Sequence, residues 1–410
     1  MDLRKLALEI YSLMRIPNIR RRRRRRRRRK QAILCVVGMV ESSHFQSWIR
    51  ATLSEKFFDQ IWIVPSDYPV NGMTFRSLGF PNKLNCKLRI FHFPVGKKLN
   101  NLIFRFLDLT LGRNWRSILI FRYIRRAKPS ILHFHELQHG AYLFNPISKY
   151  FDKGRNFKII CSTWGSDLLF YGELESHRKD IEKVFSWTDL MTAERVSDKK
   201  ICDKFDYGKE FLAPVYITIG LDVPIELPKV RASERKKILI KGYQDSHGRA
   251  LNALAALEVI KSDLQDFEIR VFSASEAVRL QAEFLRSTKH WDIEVINRTS
   301  NKEIKKHFSE SRIYIGLAIS DGLSTSMVEA MANGAFPIQS LNSAANIFIE
   351  NGVSGFAVNP WNLEDISKCI DIALNDNELI DTASISNIET LERNYNYKEG
   401  ISLMKKIYSN

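Results

Sequence analysis

The 410-residue chain carries 63 Lys and Arg against 46 Asp and Glu, a formal net charge of +17, with 44% hydrophobic residues. That length exceeds one compact core and predicts two domains of about 150–200 residues each, while the apolar content excludes a disordered chain. The five cysteines, Cys35, Cys86, Cys161, Cys202 and Cys369, are scattered without a CxxC, which argues for a reduced, cytosolic protein with neither a disulfide framework nor a structural zinc site. No apolar run reaches the about 18 residues of a membrane span, and no apolar segment with a cleavage site marks a secretory signal.

The chain begins with Leu3, Leu6, Ala7, Ile10, Leu13 and Met14 at the spacing of an apolar helical face. Ten consecutive arginines, Arg20–Arg29, and Lys30 follow; taking these 11 cations from +17 leaves +6 over the other 399 residues. The basicity is therefore local, which weakens a nucleic-acid reading, and no RRM, KH or zinc pattern supports one. A self-repelling run cannot form an amphipathic helix and reads as a solvated tether. Residues 1–30 are thus a basic N-terminal extension suited to an anionic membrane surface, at about 1 kcal/mol per cation, or a low-complexity run with no role.

After the extension, Gln31–Gly38 predicts a buried strand, SHFQSWIRATLSEKF a helix presenting Phe45, Trp48, Ile49 and Leu53, and FDQIWIVP a second strand. From Lys83 to Lys128, 12 Lys or Arg face a single acid, Asp108, with Phe91, Phe93, Phe104, Phe106, Trp115, Phe121 and Tyr123 interleaved. Such a segment suits lipid headgroups, a phosphate-linked acceptor or single-stranded nucleic acid; the alternative is core aromatics beneath a solvated basic face. Strands Pro129–His135 and Phe157–Asp167 run into polar loops, HFHELQHG and STWGSDLL. His133 and His135, alternating along a strand, are expected to face opposite ways, and no cysteine or acid cluster completes a metal site.

The prolines and charges of Leu221–Arg235 place a domain boundary, after which strands and helices alternate cleanly from KKILIKGY to AFPIQS. The fold class is α/β: two Rossmann-like domains facing each other across a cleft, over 31–225 and 226–385, with 386–410 returning to the first domain as a helix. The chemistry concentrates in RIYIGLAISDGLSTSMVEAMANGAFPIQS. A buried strand is expected to end at Ser320 with Asp321 at its carboxyl edge. Gly322 then makes a tight turn, and Ser324, Thr325 and Ser326 open a helix whose N-terminus suits a diphosphate. Glu329 lies eight residues on, roughly 12 Å if the segment is helical throughout, so the two acids can bracket a nucleotide-sugar through vicinal hydroxyls.

DGLSTSMVEAMANGAFPIQS and IENGVSGFAVNPWNLEDI resemble the retaining glycosyltransferases of family 4, which have the GT-B fold, with Asp321 where the family often has Glu. HFHELQHG resembles the family's HxHE stretch, and STWGSDLL its HGxD loop, with Trp164 where histidine usually stands. PVYITIGLDVP resembles its NG(I/V)D element, with Gly220 and Asp222 matching. The resemblance implies sugar transfer from a UDP- or GDP-linked donor, with retention at the anomeric carbon and no metal or other cofactor. It implies Asp321, Glu329 and His135 as catalytic residues, the carboxylates binding and orienting rather than acting as acid and base. Arg249, Lys241, Gly322, Leu323, Ser324 and Glu329 are then the donor-binding set, Arg249 the phosphate clamp and Lys241 a lesser one. Glu136, His139, Trp164 and Asp167 line the cleft on the acceptor side, with Asp167 alternatively fixing its loop through backbone hydrogen bonds. The acceptor so implied is a sugar or lipid-linked oligosaccharide in bacterial surface polysaccharide assembly (O-antigen, capsule or lipopolysaccharide), on a cytoplasmic enzyme peripheral to the inner face of the plasma membrane. The competing readings are a nucleic-acid- or membrane-binding protein defined by its tract, and a GT-B relative such as a sugar-nucleotide epimerase.

Overall fold

The computed structural model describes residues 32–67, 86–91, 97–112, 114–151, 155–297 and 301–409. The chain divides into residues 1–31 and residues 32–410; the predicted apolar helix and the arginine tract lie in the first unit, outside the described residues.

The first sheet is formed by β1 (Ile33–Gly38), β2 (Gln60–Pro65), β3 (Lys87–Ile90), β4 (Ile131–His135), β5 (Lys158–Ser162), β6 (Leu190–Thr192) and β7 (Glu210–Leu212). They run in the order β3-β2-β1-β4-β5-β6-β7, every pair parallel. Its helices are α1 (Ser43–Ser54), α2 (Lys97–Leu111), α3 (Asn114–Ala127), α4 (Ser166–Leu169), α5 (Glu175–Trp187) and α6 (Asp198–Lys204). Both faces of such a sheet are covered, so its strands read as continuous apolar runs; β1 and β4 are buried along almost their whole length. The helix predicted over SHFQSWIRATLSEKF is α1, and Phe45, Trp48, Ile49 and Leu53 are buried on it.

The second sheet contains β8 (Lys237–Lys241), β9 (Glu268–Phe272), β10 (Asp292–Val295), β11 (Ser311–Gly316), β12 (Phe336–Ser340) and β13 (Phe356–Val358), ordered β10-β9-β8-β11-β12-β13 and again parallel. Around it lie α7 (Ala250–Val259), α8 (Glu276–Lys289), α9 (Asn301–Glu310), α10 (Thr325–Ala332), α11 (Leu363–Asn375) and α12 (Asn377–Asn394). Side chains alternate across a strand, so Ile238 and Ile240 join the core under α7 and α11 while Leu239 joins the opposite one with Phe308, Tyr314 and Met331.

The chain then crosses back. A final helix, α13 (Tyr397–Ser409), places Ile401, Met404 and Ile407 in the first domain's core beside Trp48, Ile49 and Ile61. The indole of Trp48 donates to the Tyr408 hydroxyl at 2.8 Å. The two crossings run together: Leu221 N–H donates to Tyr395 O, and Tyr397 N–H to Leu221 O, both at 2.8 Å. Gly220, at φ +100°, is needed there because a Cβ would press on the Asn396 carbonyl.

The basic segment divides by layer. Phe91, Phe104, Trp115 and Tyr123 are core, and Arg116 is buried against Asp108. Leu99, Leu102, Phe106 and Leu109 are exposed along one side of α2, Leu109 by 86%. Phe93 lies outside the described residues. No helix among the described residues is long and apolar enough to cross a membrane.

Candidate functional site

In both sheets the strand order reverses once, between β1 and β4 and between β8 and β11. Ligands of open parallel sheets bind beyond the carboxyl ends of the strands at such switch points. The loops leaving these four strands carry most of the candidate residues.

On the second-domain side, β11 stops at Gly316, not at Ser320 as the apolar run suggested. Residues 317–319 leave the sheet to pair with the loop after β8: Arg249 N–H donates to Leu317 O, and Ile319 N–H to His247 O. Helix α10 begins at Thr325, so half the stretch from Asp321 to Glu329 is not helical and the all-helix spacing does not apply. Asp321 Oδ1 accepts the Gly322 N–H at 2.9 Å, and Oδ2 lies 3.7 Å from Lys241 Nζ. Burial opposes the lysine charge, but Asp321, helped by Tyr314, Tyr243 and Asp245, outweighs it and holds the ammonium above its ordinary value. Lys241 and Asp321 line a cavity of about 200 Å³ with Tyr243, His247 and Gln339, reached from the first domain by Ser166.

Arg249 is not among that cavity's lining. Its guanidinium folds back onto the carbonyls of Asp245 and Gly248 and stacks 4.5 Å over Trp361. Lys241 is thus the cation the structure presents to the cavity. Glu329 projects from α10 half-buried, and burial raises its carboxyl above the ordinary range, opposed by Lys305. Gly322, Leu323 and Ser324 are buried in the turn before α10.

On the first-domain side, His133 and His135 share a face, correcting the expectation that they oppose: residues two apart on a strand point the same way, and the rings are 4.2 Å apart. His133 is satisfied by Ser162 Oγ at 2.7 Å and the Tyr408 hydroxyl at 3.0 Å. His135 is buried among Phe45, Trp48 and Trp164, both ring nitrogens lack a hydrogen-bond partner, and burial first, then His133, holds it neutral. Glu136, at φ +70°, pairs with His139. Asp167 braces its loop by accepting the Leu137 and Trp164 N–H groups, each at 2.6 Å. Burial, then Glu136, raises its carboxyl. Among the described residues no cluster of three His, Cys, Asp or Glu could hold a metal ion.

Three residues that sequence reasoning missed sit at the centre. His44, near the start of α1, stands against Trp164 at 5.9 Å, its Nδ1 buried without a partner. Burial lowers its pKa, while Asp321 raises it and Lys241 lowers it, which places the imidazole within the field of that pair. Gly165, at φ +93°, abuts the Gly322 backbone so closely that a Cβ would overlap it. Glu194, after β6, is buried and accepts the Leu323 N–H at 2.9 Å and the Ile217 N–H at 3.1 Å; burial pushes its carboxyl up to about 8. The legible signal for Glu194 was an acid at the end of a buried strand, and for Gly165 its place as the glycine of the loop that resembles HGxD; for His44 the sequence carried none beyond its place after β1.

Residues 228–388 match the family model of the glycosyl transferases group 1. No curated protein matches the chain by sequence. Among solved structures, the chain resembles sucrose-phosphate synthase from Thermosynechococcus elongatus at 12% identity and TM-score 0.69, over 92% of this chain and 98% of that one. HepE of Anabaena, solved with UDP and glucose, matches at 9% identity and TM-score 0.65, over 92% and 99%. TarM of S. aureus, solved with fondaparinux, α-GlcNAc-glycerol and UDP, matches at 13% identity and TM-score 0.67, over 93% and 100%. The fold is GT-B. The match to the group 1 family model lies in the second domain.

Proposed function

We propose that the chain transfers a sugar from a nucleoside diphosphate-sugar to an acceptor, with retention at the anomeric carbon as in family 4. The carrying observation is the Lys241–Asp321 pair in a cavity at the β8/β11 switch point, with Glu329 on the helix that opens there. Lys241 and the N-terminal end of α10 would take the charge of the departing diphosphate. Asp321 would accept sugar hydroxyls, and Glu329 the ribose diol. With front-face attack, the leaving phosphate oxygen receives the acceptor proton as the new glycosidic bond forms and the old one breaks. Neither carboxylate need then change protonation. His44, half-buried on the facing wall, would meet the acceptor in the place of the family histidine that Trp164 replaces, and the fully buried His135 would support that wall.

The bound UDP of HepE and TarM supports a UDP-linked donor, with GDP the alternative. A surface-polysaccharide acceptor is supported by likeness to the lipopolysaccharide outer core galactosyltransferase WaaB, at 12% identity, TM-score 0.64 and 92% and 99% coverage. In this reading residues 31–225 bind the acceptor, 226–385 bind the donor, and 386–410 tie the two. The exposed apolar side of α2, beside Lys98, joins the Arg20–Lys30 tract as support for work at an anionic membrane on the cytoplasmic side.

The test is nucleoside diphosphate release from a panel of UDP-, GDP- and ADP-sugars, with and without acceptor extracts, beside Asp321→Ala and Glu329→Ala. Release with one donor, lost in both variants, is expected, and NMR of the product reads its anomeric configuration. Turnover undiminished in both variants would overturn the site assignment; an inverted product would overturn retention.

A further inference from the structure

The first domain does not merely face the donor loop; it grips it at named atoms. Glu194 Oε2 accepts the Leu323 N–H, and Ser166 Oγ donates to Ser320 O at 3.3 Å. Gly165 and Gly322 meet backbone to backbone, and a Cβ on Gly322 would overlap Glu194 Oε2 before anything else. Gly322 has no positive φ. The Glu194 carboxyl beside it, with the Trp164 carbonyl next, is what leaves no room for a Cβ there, an origin that the motif alone would not show.

The other oxygen of Glu194 accepts from Ile217, just before the chain crosses between the domains. One buried side chain therefore joins three segments: the end of β6, the approach to the crossing and the turn that aims α10 and Asp321. The second domain holds the same turn from its own side, through Asp321 N–H to Asn342 O at 3.0 Å and Ala344 N–H to Gly322 O at 2.9 Å. A buried hydrogen-bonded carboxyl is costly to leave half-satisfied, so the three segments it joins are fixed relative to one another.

We propose that Glu194 is a positioning residue for transfer: from the first domain it sets the Asp321–Ser324 turn and so aims the donor sugar at the acceptor wall. The assignment rests on the sugar-transfer reading, but the contact itself is testable without a donor. Glu194 touches neither reacting atom; it acts through the turn. Loss of aim is felt in turnover more than in affinity, since a displacement of about 1 Å costs on the order of 100-fold.

The experiment uses the full chain with Glu194→Ala, Glu194→Gln, Gly322→Ala and the Gly322→Ala/Glu194→Ala pair. Amide hydrogen exchange is read at Leu323 and Ile217, and kcat and KM with the donor found above. Glu194→Ala is expected to speed exchange at both amides by at least about tenfold and to cut kcat by about 10- to 100-fold with KM for donor little changed. Glu194→Gln keeps one accepting oxygen and falls between; it decides the matter if the alanine variant fails to fold. Gly322→Ala is expected to lose most turnover, and removing the Glu194 carboxyl in the same chain to restore part of it. Unchanged kcat in Glu194→Gln and Glu194→Ala, or a double variant no better than Gly322→Ala, overturns the proposal. A wild-type protein that turns over no donor overturns the sugar-transfer reading instead, while exchange at Leu323 still reports on the contact.

Discussion

Replacing Glu329 by Gln separates binding from stability, because the two should move in opposite directions. The carboxyl is half-buried on α10, and burial raises its pKa, so the folded protein holds the charged form at a cost. Gln keeps the shape and one acceptor but removes the charge. A hydrogen bond to a charged group contributes about 1.5–3 kcal/mol and a neutral one about 0.5–1.5. For two ribose hydroxyls the difference sums to about 2 kcal/mol, or roughly 30-fold in affinity. Stability should move the other way. A carboxyl with a raised folded pKa contributes most below its unfolded pKa and loses that contribution as pH rises, so near neutrality Gln should melt no lower than Glu. Titration calorimetry with nucleoside diphosphates, beside thermal melts at pH 5 and pH 7.5, measures both. Wild-type affinity, or a Gln variant that melts clearly lower at pH 7.5, would refute the reasoning.

Lys241→Met should cost about 100- to 1000-fold in kcat, read as nucleoside diphosphate release. The same loss in Arg249→Met would shift the clamp back to Arg249. Burial pushes the Glu194 carboxyl up to about 8, so wild-type stability should fall as pH rises through the range above the ordinary carboxyl value, by at most about 1.4 kcal/mol per pH unit. Melting curves of Glu194→Gln should be flatter between pH 5 and pH 8. Deleting residues 20–30 should weaken binding to vesicles containing anionic lipid, and Leu102→Ser/Leu109→Ser should weaken further the binding that remains; flotation at low and high salt reads both, and undiminished binding by the combined variant would remove the membrane role.

The alternating pattern of the second half was legible because its strands are buried on both faces and its helices are amphipathic. The return of the last helix was legible only through the fold-family resemblance. Where the pattern misled, the cause was a tertiary contact: an apolar run continued past Gly316, yet pairing with the loop after β8 pulled residues 317–319 out of the sheet. Asp321, Glu329 and Lys241 stood out as charges in an apolar repeat. Arg249 had the right place in the chain, but Trp361, more than a hundred residues away, decides where its guanidinium lies. Glu194 and Gly165 matter only because the two domains meet, and no local pattern encodes that meeting.

Helix α13 closes the first domain with the last described residues of the chain, and the paired crossings at Leu221 and Asn396 bring it there. On the ribosome, β1 to β7 therefore emerge long before the apolar side chains that seal one of their faces. One face of the second domain's sheet is covered entirely by residues between Ala232 and Ala383. The half of the chain made first thus has its core completed by the last helix. Until Tyr408 arrives, Trp48 and the surface around it stay open to whatever else in the cell binds unsealed apolar protein.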